Sequence, residues 1–205
     1  MSAVLETEHP IAQPNAMFSI TGIKPRLISV VVYDKMIAQG ILDENDKVEL
    51  LNGIIVEKMT KGIRHAVLND LIGDLFRQML GDRAYVRLQN PIVLDNFSEP
   101  EPDIALCQPP RRTYLTRHPT SADIFLVLEI SDSTVSYDRN TKSLAYARAG
   151  IQQYILLNLQ NSTLEDYREP SAEGYQFKQT LRAGENFNLV AFPEIEITVD
   201  DFFSN

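Results

Sequence analysis

Cysteine is nearly missing from this sequence: Cys107 is the only one in 205 residues, which excludes an intrachain disulfide and any Cys-rich zinc site and agrees with a reducing compartment. Long hydrophobic runs are missing too. The longest, "ISVVV" (28–32) and "IFLVL" (124–128), fall far short of the roughly 20 residues a membrane-spanning helix needs. The N-terminal stretch lacks a basic region followed by an apolar block, so the expectation is a cytoplasmic protein without a membrane span. Positive charge is also scarce, with 19 Lys and Arg against 28 Asp and Glu and a net charge of −9. That balance argues against a chain that is basic all over and holds nucleic acid non-specifically by counterion release, and it suits a site that collects divalent cations. Local basic patches survive it: "RRTYLTRH" (111–118) gathers Arg111, Arg112, Arg117 and His118 around Tyr114, as a solvated loop or as a contact for a phosphate backbone. Several reactive patterns are absent as well. There is no Gly-x-Gly-x-x-Gly or phosphate loop, no Gly-x-Ser-x-Gly elbow, and no metalloprotease spacing among His9, His65 and His118.

What is present is an ordinary globular composition, 44% hydrophobic and 23% charged, in a length that suits one main core. Residues 1–27, with three prolines and little periodicity, read as an extended or partly disordered lead-in, and 28–205 as a single domain. Ser29 is placed to cap a short helix that Gly40 ends. In "KVELLNGIIVEKM" (47–59), Asn52-Gly53 joins two short strands in a hairpin. Between Ile63 and Leu80, Val67, Leu68, Leu71, Ile72, Leu75, Phe76, Met79 and Leu80 recur at three and four residues, the mark of an amphipathic helix packed on one face. Strands are expected at 84–88, 91–94, 103–107 and 124–130, the last continuously apolar as in a strand covered on both faces. A helix over 137–150, capped by Asp138 and stopped by Gly150, then a strand at 151–159, complete a right-handed crossover. "STLEDYRE", "GYQFKQTL" and "ENFNLV" read as further strands and "VDDFFS" as a terminal helical turn. The fold class is α/β or α+β, a sheet with at least two packed helices.

Two acids stand out. Glu129 follows five apolar residues on an internal strand, where an isolated charge costs several kcal/mol unless paired or bound to a cation. Two readings stand: a buried ion pair with Arg139 or Lys142, or the mouth of a site where the strand ends. Asp103 follows Pro102 and opens another apolar run, so it is either a turn acid facing water or a partner for Glu129 if neighbouring strands bring the two run ends together. Joined, the two carboxylates would offer the hard oxygen ligands that Mg²⁺ prefers, and Lys142 would supply a cation to orient water or meet developing charge. His65 is a candidate phosphate contact or proton carrier, or else a surface residue at a helix start. Tyr137 and Tyr146 read as packing ahead of direct roles, and Glu57 and Lys58 as solvent-facing strand positions ahead of a place flanking the pocket.

Pro102-Asp103, Glu129-Ile130-Ser131, "TVSYDRNTK", "YARAGIQQYIL" and "VELLNGIIVEKM" with His65 occur in this order, and the set resembles the Uma2 family of restriction-endonuclease-like proteins, abundant in cyanobacteria. The resemblance runs from about Ser29 to Phe203. It implies a PD-(D/E)XK nuclease-like core, a mixed central β-sheet flanked by helices. By the same resemblance, Asp103 and Glu129 are the ligands of Mg²⁺, which Mn²⁺ can replace, and the reaction is hydrolysis of DNA phosphodiester bonds, with Glu49 as a further acid of the site. Ser131 stands where the general pattern has lysine, which makes Lys142 the substitute catalytic lysine and leaves Ser131, with His65, as a substrate contact. DNA is the implied partner, and a homodimer would suit two-strand cleavage. The rival expectation is a nuclease-fold binding or scaffold protein without turnover.

Overall fold

The computed structural model describes residues 25–43 and 45–203. The expected lead-in lies outside the described residues except for its last three positions. Helix α1 (Val30–Ala38) starts as anticipated, with the Ser29 side chain accepting from the Val32 amide at 3.4 Å. Strands β1 (Val48–Leu51) and β2 (Ile54–Glu57) form the hairpin, and both turn residues take positive φ, 53° at Asn52 and 77° at Gly53. That is the backbone for which Asn-Gly is favoured. Helix α2 spans Ile63–Leu80.

A six-stranded sheet forms the centre, in the order β3 (Tyr85–Leu88), β4 (Ile104–Cys107), β5 (Ile124–Ser131), β6 (Gln153–Asn158), β7 (Thr163–Ser171), β8 (Gly174–Leu181). Only β5 and β6 run parallel; the other neighbours are antiparallel, which makes this a mixed sheet in an α+β fold. The parallel pair is joined by α3 (Val135–Tyr137), a π-helical turn (Asp138–Lys142) and α4 (Ser143–Arg148). A separate hairpin of β9 (Asn186–Leu189) and β10 (Phe192–Thr198) and the short α5 (Asp200–Phe203) follow.

Alternation along the strands divides the core between the two sheet faces. Ile104, Leu106, Leu126, Leu128 and Ile130 pack with Leu68, Ile72 and Phe76 of α2, and Phe202 of α5 joins them. Ala105, Cys107, Val127, Tyr154 and Leu156 pack on the other face with Ala145 and Tyr146 of α4 and Leu51 of β1. Asp103 and Glu129 share the parity of this second face. Because Ile104 pairs with Leu128, the antiparallel register sets Asp103 opposite Glu129.

Four expectations need correction. Residues 91–94 are not a strand: the amides of Ile92, Val93 and Leu94 bond to Pro100, Pro119 and Ser98 carbonyls, and Val93 makes only an isolated bridge to Thr120. Asp138 is not a helix cap, since the helix begins at Val135 and Asp138 lies inside the π-turn, accepting from Thr134 Oγ1 at 2.5 Å. Val67 and Leu71 are half-exposed rather than buried, because α2 turns its His65, Leu68, Ile72 and Phe76 edge to the sheet. Strand β10 adds an element the sequence reading omitted. No helix of the described residues is long and apolar enough to cross a membrane.

Candidate active site

The ends of β4 and β5, the start of α2, the loop after β2 and the π-turn surround a cavity of about 130 Å³. The parity that stacks Val127 on α4 also turns Glu129 into this chamber, where burial leaves it 4% exposed. Its Oε1 accepts from Lys142 Nζ at 3.0 Å and from the Tyr146 hydroxyl at 2.7 Å, and its Oε2 accepts from the Asp103 amide at 3.4 Å. The π-turn and α4 place Lys142 and Tyr146 four residues apart, on one side of the helix facing β5. Lys142 Nζ also lies 3.2 Å from Glu49 Oε1, and the second oxygen of Glu49 accepts from the Glu101 amide at 3.0 Å. Glu129 is thus ion-paired with Lys142, and it also lines a cavity. Arg139 takes no part, because it points to Glu165 on β7.

Asp103 is equally well held. Its Oδ2 accepts from the Ile130 amide at 2.9 Å and lies 3.0 Å from His65 Nε2, while Oδ1 lies 3.2 Å from Lys61 Nζ and 3.4 Å from Gln89 Nε2. His65 is thus a buried residue of the first turn of α2, not a surface group. Lys61 belonged to no expectation; only its place just before that helix could have signalled it.

The environments push the two carboxyls apart. Burial favours protonation at both. At Asp103 it is outweighed by the His65 hydrogen bond and charge, by Lys61 and by the Ile130 amide, which hold the group below its ordinary value. At Glu129 burial prevails over the pull of Lys142, and the charges of Asp103, Asp138 and Glu49 add to it, so the group sits above the usual carboxylate range. Burial works against the charge on Lys142, yet Glu129, Glu49 and Asp138 raise its pKa well above the ordinary value. Acids whose pKa values are driven apart in one chamber are a mark of functional sites.

The remaining named residues divide clearly. Ser131 is fully buried, is not among the residues lining the cavity, and bonds Thr134 Oγ1 at 3.1 Å, which braces the turn beside the chamber. Tyr146 is more than packing, given its bond to Glu129. Tyr137 lines the cavity with a buried hydroxyl. Glu57 and Lys58 also line it rather than facing away, and Lys58 Nζ meets Glu101 Oε2 at 2.5 Å. Among the described residues, seven carboxylates and three lysines line the chamber, leaving an excess of negative charge. Among the described residues no group of three or more His, Cys, Asp or Glu side chains is gathered to hold a metal ion. The donor set fits a hard cation all the same, since Mg²⁺ takes one or two carboxylates and fills its shell with water and phosphate oxygens. Glu129 Oε2 and Asp103 Oδ1 are the least engaged oxygens of the pair.

The mixed sheet flanked by helices, with this acid-lined chamber at the β4 and β5 ends, is a nuclease-like fold. A crystal structure of a putative nuclease belonging to DUF820, from Anabaena variabilis ATCC 29413, is similar to it with a TM-score of 0.68. The match covers 86% of this chain and 98% of that one at 17% identity, which speaks for the fold alone. The chain belongs to the Uma2 family, described as "Putative restriction endonuclease", whose model matches residues 33–200. No curated protein matches it.

Proposed function

We propose that the chain is a Mg²⁺-dependent endonuclease that hydrolyses phosphodiester bonds of DNA in the cytoplasm, with Mn²⁺ able to replace Mg²⁺. The observation that carries the reading is the meeting of Asp103, Glu129 and Lys142 in one chamber, with the Asp103 amide 3.4 Å from Glu129 Oε2 and the Lys142 amine 3.0 Å from Oε1. Membership of the Uma2 family supports it. Asp103 and Glu129 would hold the cation, which when bound lowers the pKa of a water and offsets charge on the scissile phosphate.

The chain's own groups do the rest. Lys142, fixed between Glu129 and Glu49, keeps its proton and aligns the Glu129 carboxylate. Tyr146 fixes the same oxygen from the helix side. The Ile130 amide and His65 Nε2 lock the orientation of Asp103, and His65 can hold a proton at that nitrogen. Lys61, 35% exposed at its side chain, stands nearest to solvent among the groups on Asp103 and is free to swing to an arriving phosphate. Incubation of the purified chain with single-stranded, duplex and branched DNA across a Mg²⁺ and Mn²⁺ titration tests the reading. Cleavage that disappears in Asp103→Ala is expected; absence of cleavage on every substrate and metal would favour the rival, a nuclease-fold protein that binds without turnover.

A further inference from the structure

A groove of about 370 Å³ runs beside β3, the edge strand of the central sheet, and nothing in the chamber chemistry uses it. Arg77, Tyr85, Leu88, Asn90 and Arg111 line it. Arg77 comes from the last turn of α2, and Arg111 from the 3₁₀ turn that follows β4. The Arg111 guanidinium lies 5.6 Å from the centre of the Tyr85 ring, which itself stacks on Tyr114 at 5.8 Å. An aromatic surface therefore holds Arg111 in place, and no ion pair with a carboxylate is found for it among the described residues. Among the described residues Arg77 shares its charge only with Asp74, in an exposed pair at 2.8 Å that water screens.

The groove is also placed to serve the chamber. Leu88 at its near end is followed by Gln89, whose Nε2 lies 3.4 Å from Asp103 Oδ1. The chamber itself repels a polyanion, because its lining has more carboxylates than lysines and the whole chain carries −9. A DNA strand entering it needs cations outside it. Arginine forks match phosphate oxygens two at a time, and arginine keeps its charge at any working pH. Among the described residues the outer edge of β3 has no strand partner, and it adds main-chain polar groups along the same wall.

We propose that this groove carries the sugar-phosphate backbone of the DNA whose scissile bond enters the chamber. The identity of the ligand rests on the nuclease reading; the grip itself does not require turnover. Two arginines on phosphates give affinity without sequence information, so the contact is independent of base identity.

Binding of the full chain to a labelled duplex, followed by fluorescence anisotropy in EDTA over a range of salt, tests this without any cleavage step. The double variant Arg77→Ala/Arg111→Ala is expected to bind roughly tenfold more weakly and to show a salt dependence shallower by about 1.8 in log–log slope, about 0.9 for each phosphate released. Arg182→Ala, an exposed arginine after β8, is the charge control and should leave both quantities as in the parent. A double variant that binds with parental affinity and slope overturns the groove, and so does a parent that binds no DNA. A parent that binds through the groove but cuts nothing refutes the nuclease reading while the groove stands.

Discussion

Lys142 Nζ donates to Glu129 Oε1 at 3.0 Å, an ion pair in which both side chains are buried. Removing the ammonium leaves Glu129 and Glu49 facing each other in a poorly solvated chamber. Lys142→Ala should therefore lose about 3–5 kcal/mol of stability in urea denaturation, the usual cost of breaking a buried pair from one side. Lys142→Met, similar in length, should not rescue it while both acids remain. A loss under 1 kcal/mol would mean that the pair is solvated and the chamber open.

Lys61 competes for the carboxylate that the proposed cation needs, with Nζ 3.2 Å from Asp103 Oδ1. Lys61→Gln should tighten Mn²⁺ binding roughly fivefold in calorimetric titration, the worth of a half-exposed ion pair of about 1 kcal/mol. Weaker binding in that variant would show that Lys61 supports the cation instead of excluding it.

Away from the chamber, Glu165 on β7 receives Arg139 at 2.5 Å, Lys178 at 2.8 Å and the Tyr167 hydroxyl at 2.6 Å. Burial raises its pKa, but the hydrogen bonds from Arg139, Lys178 and Tyr167 outweigh burial and bring it down to about 2, from an ordinary 4.5. A lowered carboxyl stabilises the fold above its unfolded pKa, and that contribution is lost as pH falls through the folded one. Stability should thus decline between about pH 4.5 and pH 2, and Glu165→Gln should flatten that part of the profile in thermal unfolding.

Gly53 closes the β1–β2 hairpin at φ 77°, and a Cβ there would meet Leu27 Cβ at 2.6 Å. Gly53→Ala should cost about 2 kcal/mol, from the left-handed backbone and from displacement of Leu27. Because β1 carries Glu49, the same variant should also weaken metal-dependent cleavage.

Much of this architecture is legible from local pattern. Asn52-Gly53, the Ser29 cap and the apolar spacing of α2 each encode their element through chemistry within a few residues. Long-range register is less visible. The apolar runs after Asp103 and before Glu129 allow either acid to face water, and only the antiparallel pairing of Ile104 with Leu128 sets them opposite each other. The helix after β5 hides its start, because Asp138 suits a cap in isolation while the π-turn that brings Lys142 round to Glu129 has no local signature. The alternation of Glu194, Ile195, Glu196 and Ile197 in β10 was available as a strand signal, although Pro193 beside it weakens the pattern. Lys61 and Glu101 come to the chamber from loops, where sequence periodicity carries no information.

The central claim, that Asp103 and Glu129 share one cation, is tested most directly by a crystal of the full chain soaked in Mn²⁺ and measured for anomalous scattering. The account predicts a single strong peak bonded to a carboxylate oxygen of each residue, with the Lys61 amine moved off Asp103. A peak elsewhere, or none at saturating Mn²⁺ with the Lys61 and Lys142 amines still on the two acids, would contradict it.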